Sequence, residues 1–93
     1  AIEGCAEHRI VALDKQIDAT AESLYAQLSS TLWRSRLVAS QARWVARRHA
    51  VCLKASNRYA GGTLAPVAFA NCEVRMDRAR LAALAALGGA SSP

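Results

Sequence analysis

Ninety-three residues are enough for one domain with a modest core, and an apolar fraction of 53% excludes disorder for most of the chain. Alanine supplies much of that fraction, so closely packed helices are expected rather than a thick core. The net charge of +5 is unevenly placed, because residues 3 to 28 hold Glu3, Glu7, Asp14, Asp18 and Glu22 against Arg9 and Lys15, whereas residues 32 to 59 hold seven Lys/Arg and no acid.

Ile10, Leu13, Ile17, Ala21, Leu24 and Leu28 recur at spacings of three and four, which marks an amphipathic helix from about Ala6 to Leu28. Ser29, Ser30 and Thr31 follow, and any of them could cap a second helix. That helix is expected from about Leu32 to Tyr59, ended by Gly61 and Gly62 as a left-handed stop. Leu37, Gln41, Trp44, Arg48, Cys52, Ala55 and Tyr59 share one of its stripes, so an amide and a guanidinium sit in the middle of an apolar face. Such an arginine needs backbone carbonyls, a carboxylate or a partner to take up its donors. Gln41, Arg48 and Arg80 are read as a polar set holding the 60–66 loop, with Trp44 in the core.

Pro66 suits the first turn of a third helix, with Val67, Phe69, Ala70, Val74, Met76, Leu81, Leu84 and Leu87 as its apolar positions and Gly88-Gly89 as its end. No alternation of strand type occurs. The expectation is an all-α, three-helix antiparallel up-down-up bundle, one domain over residues 1–89 with a disordered tail at 90–93. No apolar run approaches the roughly eighteen residues of a membrane span, and no signal-peptide pattern opens the sequence, so an exported form would start here at its mature end.

Cys52 and Cys72 each lie ten residues from Gly62. In an antiparallel hairpin they stand level, which favours a disulfide between helices 2 and 3 and leaves Cys5 over. A rival Cys2His2 zinc site from Cys5, His8, His49 and Cys52 would orphan Cys72, and the histidines read more simply as surface or boundary side chains; no metal or cofactor is expected. Arg36, Arg43, Arg47, Lys54 and Arg58 form a basic stripe about 100° around helix 2 from the apolar one. A solvated face is the plain reading of it, and a surface for an anionic polymer is the functional one.

In Gln41-x-x-Trp44-x-x-x-Arg48-x-x-x-Cys52, Gly61-Gly62-Thr63-x-x-Pro66 and Cys72-x-x-x-Met76-x-x-x-Arg80-x-x-x-Leu84, the chain resembles the LprI-like lysozyme inhibitors, small exported bacterial helical domains. Four places depart from that family's pattern. His49 stands for an aspartate, Arg47 for an aromatic and Asp77 for a threonine, and the usual cysteine upstream of Cys5 is absent. The resemblance implies a secreted or periplasmic, non-catalytic protein that inhibits a lysozyme-like peptidoglycan hydrolase, in the role of an immunity protein if the target comes from a competitor. Arg58, Tyr59 and Thr63, at the turn between helices 2 and 3, are the candidates for contact with the enzyme. The alternative is an envelope module that binds an anionic polymer through Arg36, Arg43, Arg47 and Lys54. Nucleic acid is a poor partner, since the motifs and stacking aromatics are lacking and a disulfide suits another compartment.

Overall fold

The computed structural model describes residues 2–59 and 62–90, with side chains for 7–59 and 62–88. Three helices carry the fold: α1 (Ile2–Gln27), α2 (Thr31–Asn57) and α3 (Leu64–Ala90). They run up, down and up, and no strand occurs among the described residues. The body is long and thin, 49 × 22 × 16 Å.

The apolar spacing of each helix sets its inner face. All six spaced positions, five on α1 from Ile10 to Leu24 and Leu28 just past its end, are partly or fully buried. On α2 the stripe from Leu37 to Ala55 turns inward, while Tyr59 at its end stays exposed. Ile17, Leu24 and Leu84 form the main apolar cluster, with Ala21, Leu37, Trp44 and Leu81 packed against it. Helix α3 packs extensively on both other helices, and α1 and α2 meet each other only thinly.

The α1–α2 break is a true turn. Ser30 is the cap, with extended backbone (φ −88°, ψ 129°), and its hydroxyl accepts from the Trp33 backbone N–H at 3.3 Å. Past α2, the Tyr59 N–H donates to the Ser56 carbonyl and the Gly62 N–H to the Tyr59 carbonyl, both at 2.9 Å. Gly61 lies outside the described residues, and Gly62 does not take the left-handed conformation expected of a stop. Space is what glycine supplies there, since a Cβ would stand 3.3 Å from the Tyr59 carbonyl oxygen. Pro66 sits in the first turn of α3, where its missing N–H costs nothing.

Gly88-Gly89 does not end α3, which runs on to Ala90. Leu24 of α1 lies beside Gly88, with its Cδ2 3.4 Å from where a Cβ would be. Of the tail expected at 90–93, Ala90 is in α3 and residues 91–93 lie outside the described residues.

Cys52 and Cys72 are joined, with Cα atoms 5.3 Å apart, and both are buried. This bond ties α2 to α3 across a separation of 20 residues, a loop whose closure is worth roughly 3 kcal/mol in the chain-entropy account. It also removes Cys52 from any zinc site. Cys5 is bonded to neither of them, and its side chain lies outside those described.

Candidate functional site

The inner face of α2 has two polar knots on either side of Trp44. In the first, Arg48 Nη1 donates to Asp14 Oδ1 of α1 at 3.0 Å and to Asp77 Oδ1 of α3 at 2.8 Å, while its Nε lies 3.7 Å from Glu73 Oε2. Arg48 is 16% exposed and Asp77 not at all. In the second, Arg80 Nε donates to Gln41 Oε1 at 2.7 Å and Nη2 to Ser40 Oγ at 3.1 Å. Both guanidinium carbons come within cation–π range of the Trp44 ring, at 4.8 and 5.8 Å.

Gln41, Trp44, Arg48 and Arg80 are therefore brought together, but the bonds described for Arg48 and Arg80 run from helix to helix, and none among the described residues runs to the 60–66 loop. Along α3 the first knot falls between the disulfide at Cys72 and the apolar cluster at Leu84. The acceptors Asp14, Glu73, Asp77 and Ser40 were not legible as a set. One signal for them existed: Glu73 and Asp77 are four apart on one helix, level with a buried arginine once the hairpin is folded.

The electrostatics of the first knot are unbalanced, with three carboxyl groups around one guanidinium. Burial works to lower the pKa of Arg48, but its hydrogen bonds and charge pairing with Asp77 and Asp14 outweigh that and leave it raised. For Arg80 burial lowers the pKa. Asp77 is pushed up to about 7, first by burial and then by the neighbouring Asp14 carboxyl, with Arg48 pulling the other way. Asp77 Oδ2 is buried without an acceptor's partner. Protonation makes the carboxyl a donor as well as an acceptor, and that is the form which burial and the nearby Asp14 carboxyl favour.

The aspartate position of the family pattern is taken by His49, which is exposed and meets Phe69 edge-on at 6.0 Å. Arg48 still finds a carboxylate. It comes from α3, at Asp77, where the pattern has threonine.

Arg58, Tyr59 and Thr63 are all exposed at the α2–α3 end of the body, just past the disulfide. Arg36, Arg43, Arg47 and Lys54 are exposed along α2. None of the four is in an ion pair among the described residues, and Arg36 lies 4.9 Å over the Trp33 ring. No group of three His, Cys, Asp or Glu side chains that could hold a metal occurs among the described residues.

The helix order, the bond between α2 and α3 and the polar inner face define a small disulfide-stapled three-helix domain. The model of the family described as "Lysozyme inhibitor LprI" matches residues 1–84, and the chain belongs to that family. No curated protein and no solved structure matches it.

Proposed function

We propose that this chain is a secreted or periplasmic, non-catalytic inhibitor of a lysozyme-like peptidoglycan hydrolase, and that it meets the enzyme with its α2–α3 turn. The observation that carries the reading is the grouping of a cation, an aromatic and a hydroxyl, Arg58, Tyr59 and Thr63, on the exposed tip of a disulfide-tied hairpin. A body 22 × 16 Å in cross-section presents that tip end-on, narrow enough to approach a substrate cleft. Lysozyme-like enzymes work with two carboxyl groups in such a cleft, one of them kept protonated as the acid. An inserted guanidinium pairs with the ionised carboxylate and favours loss of the acid's proton, so it acts on the chemistry as well as on access. Family membership supports a target of the lysozyme type.

Charge narrows the target. An inhibitor of net charge +5 is repelled by a strongly basic enzyme and associates with it slowly. A less basic hydrolase, such as one delivered by a competing bacterium, suits this chain, and the protein then serves as an immunity protein. Inhibition constants against a panel of peptidoglycan hydrolases of differing net charge test this. Arg58→Ala with Tyr59→Ala should weaken inhibition of the best target by tenfold or more with helicity unchanged, since about 1.4 kcal/mol is tenfold and a tip aromatic and arginine are the residue types that carry such losses. Undiminished inhibition by the double variant removes the turn from the interface, and no inhibition of any hydrolase by the parent chain removes the reading itself.

A further inference from the structure

The outer surface of α2 carries two adjoining strips, an aliphatic one interrupted by the exposed Thr31, Ser35, His49 and Asn57, and a cationic one. Leu32, Val38, Val45 and Leu53 are exposed at 57%, 59%, 48% and 46%, and the alanines at 42, 46 and 50 between them are exposed as well. At 100° per residue these positions cover roughly 140° of the helix circumference, and Arg36, Arg43, Arg47 and Lys54 occupy about the next 40°. No acid occurs between Glu22 and Glu73. Glu22 itself borders a groove with Val38 on the α1 side, the edge of the aliphatic strip away from the cations.

Scattered exposed aliphatic side chains are ordinary on a soluble surface. Here they continue along most of a 27-residue helix and are bordered by four cations without ion-pair partners among the described residues. The combination selects the occupant. A soluble anionic polymer would neutralise the cations and leave the aliphatic strip in water. A second copy of the chain would cover the strip but set four more cations against the first four. Anionic lipid headgroups over an acyl layer satisfy both strips at once, because the aliphatic side chains enter the headgroup–acyl boundary while Arg and Lys reach up to the phosphates. No helix of the described residues is long and apolar enough to cross a membrane, so the contact is peripheral.

We infer that the outer face of α2 is a peripheral docking surface for an anionic phospholipid bilayer, with α2 lying in the plane of the interface. The α2–α3 tip is a separate surface, so the inhibitory reading stands or falls independently. The test is flotation of the full chain with vesicles of phosphatidylcholine containing about one third phosphatidylglycerol, beside pure phosphatidylcholine vesicles and soluble polyphosphate. The parent should partition onto the anionic vesicles, less so at high salt, and little onto the neutral ones. Arg43→Glu with Arg47→Glu should lower that partition by at least about tenfold, since each basic residue near an anionic surface is worth about fivefold. Leu32→Ser with Leu53→Ser should lower it by roughly tenfold and leave polyphosphate binding unchanged. All four positions are exposed, so helicity should survive in both variants. Absence of partition onto anionic vesicles overturns the inference. So does a leucine variant that binds vesicles like the parent while charge reversal abolishes vesicle and polyphosphate binding alike, because that marks a polymer surface. A concentration-dependent dimer broken by the leucine changes, without vesicle binding, overturns it in favour of a second copy.

Discussion

Arg47 and Arg48 are neighbours in sequence and live in different worlds. Arg47 projects from the outer face of α2 with no ion pair among the described residues, whereas Arg48, one step of about 100° around the helix, is surrounded by carboxyl groups from α1 and α3. On α2 the outer basic row and the inner polar row that holds Gln41 and Arg48 differ in register, and register decides the work of their arginines. The inner row compensates for a weakness of the fold, since α1 and α2 meet thinly and the Arg48–Asp14 pair is a direct link between them. Apart from Arg36 over the Trp33 ring, the outer row makes no charge-paired contact with that fold among the described residues. Its charge is left for whatever the surface meets.

The sharpest way to separate the rows is to remove what fixes the inner one. Cys52 is one turn beyond Arg48 on the same stripe, and its bond to Cys72 holds the register in which Asp77 faces the arginine. Replacing both cysteines by serine should cost about 3 kcal/mol in denaturant unfolding, the largest effect expected of any change considered. A loss below about 1 kcal/mol would mean that packing alone holds the α2–α3 register. Next comes Arg48→Met, which keeps the aliphatic stem against Trp44 and removes the charge. Breaking a buried pair commonly costs 3–5 kcal/mol. Asp14 is 40% exposed and Asp77 can take a proton, so about 2–3 kcal/mol is expected here. Arg47→Met should change stability by no more than about 0.5 kcal/mol. Equal effects at the two positions would break the comparison.

The helices were legible because spacing alone carries them: a period of 3.6 fixes which residues face inward without knowledge of the partner. The disulfide was legible for the same reason, as level positions on a hairpin follow from counting. The family was legible in Gln41, Trp44, Arg48, Cys52, Pro66, Cys72 and Arg80, and the match over residues 1–84 bears it out. What could not be read was which acceptor satisfies a buried donor. Arg48 had loop carbonyls, carboxylates and an external partner open to it, and the choice depends on how far α1 slides along α3, which local pattern does not specify. The helix ends were legible to within a residue or two, and α3 runs one residue past the Gly88-Gly89 stop signal, to Ala90. Arg58, Tyr59 and Thr63 were placed at an exposed tip by reasoning from the turn, and they are exposed; their contact with an enzyme is a matter for the inhibition assay.

The inner row is also open to a test by pH. Asp77 titrates near 7 in the folded chain, against about 3.9 for an unfolded aspartate. Because the folded state holds the proton more tightly, protonation of Asp77 stabilises the fold fully below about pH 4, and that contribution is lost as pH rises through 7. Asp77→Asn removes the titration while keeping a group of similar shape that can donate towards Asp14 and accept from Arg48. Relative to the parent, the asparagine variant should therefore gain stability between pH 5 and pH 8, by on the order of 2–3 kcal/mol, since each pKa unit crossed is worth about 1.4 kcal/mol. Melting temperatures of the two proteins over that range give the difference directly, and subtraction cancels the carboxylates they share. A constant difference would mean that Arg48 keeps Asp77 ionised throughout, and that the buried Oδ2 is satisfied without a proton. A widening difference would show that the inner row is held by a shared proton as well as by an ion pair, which the outer row cannot imitate at any pH.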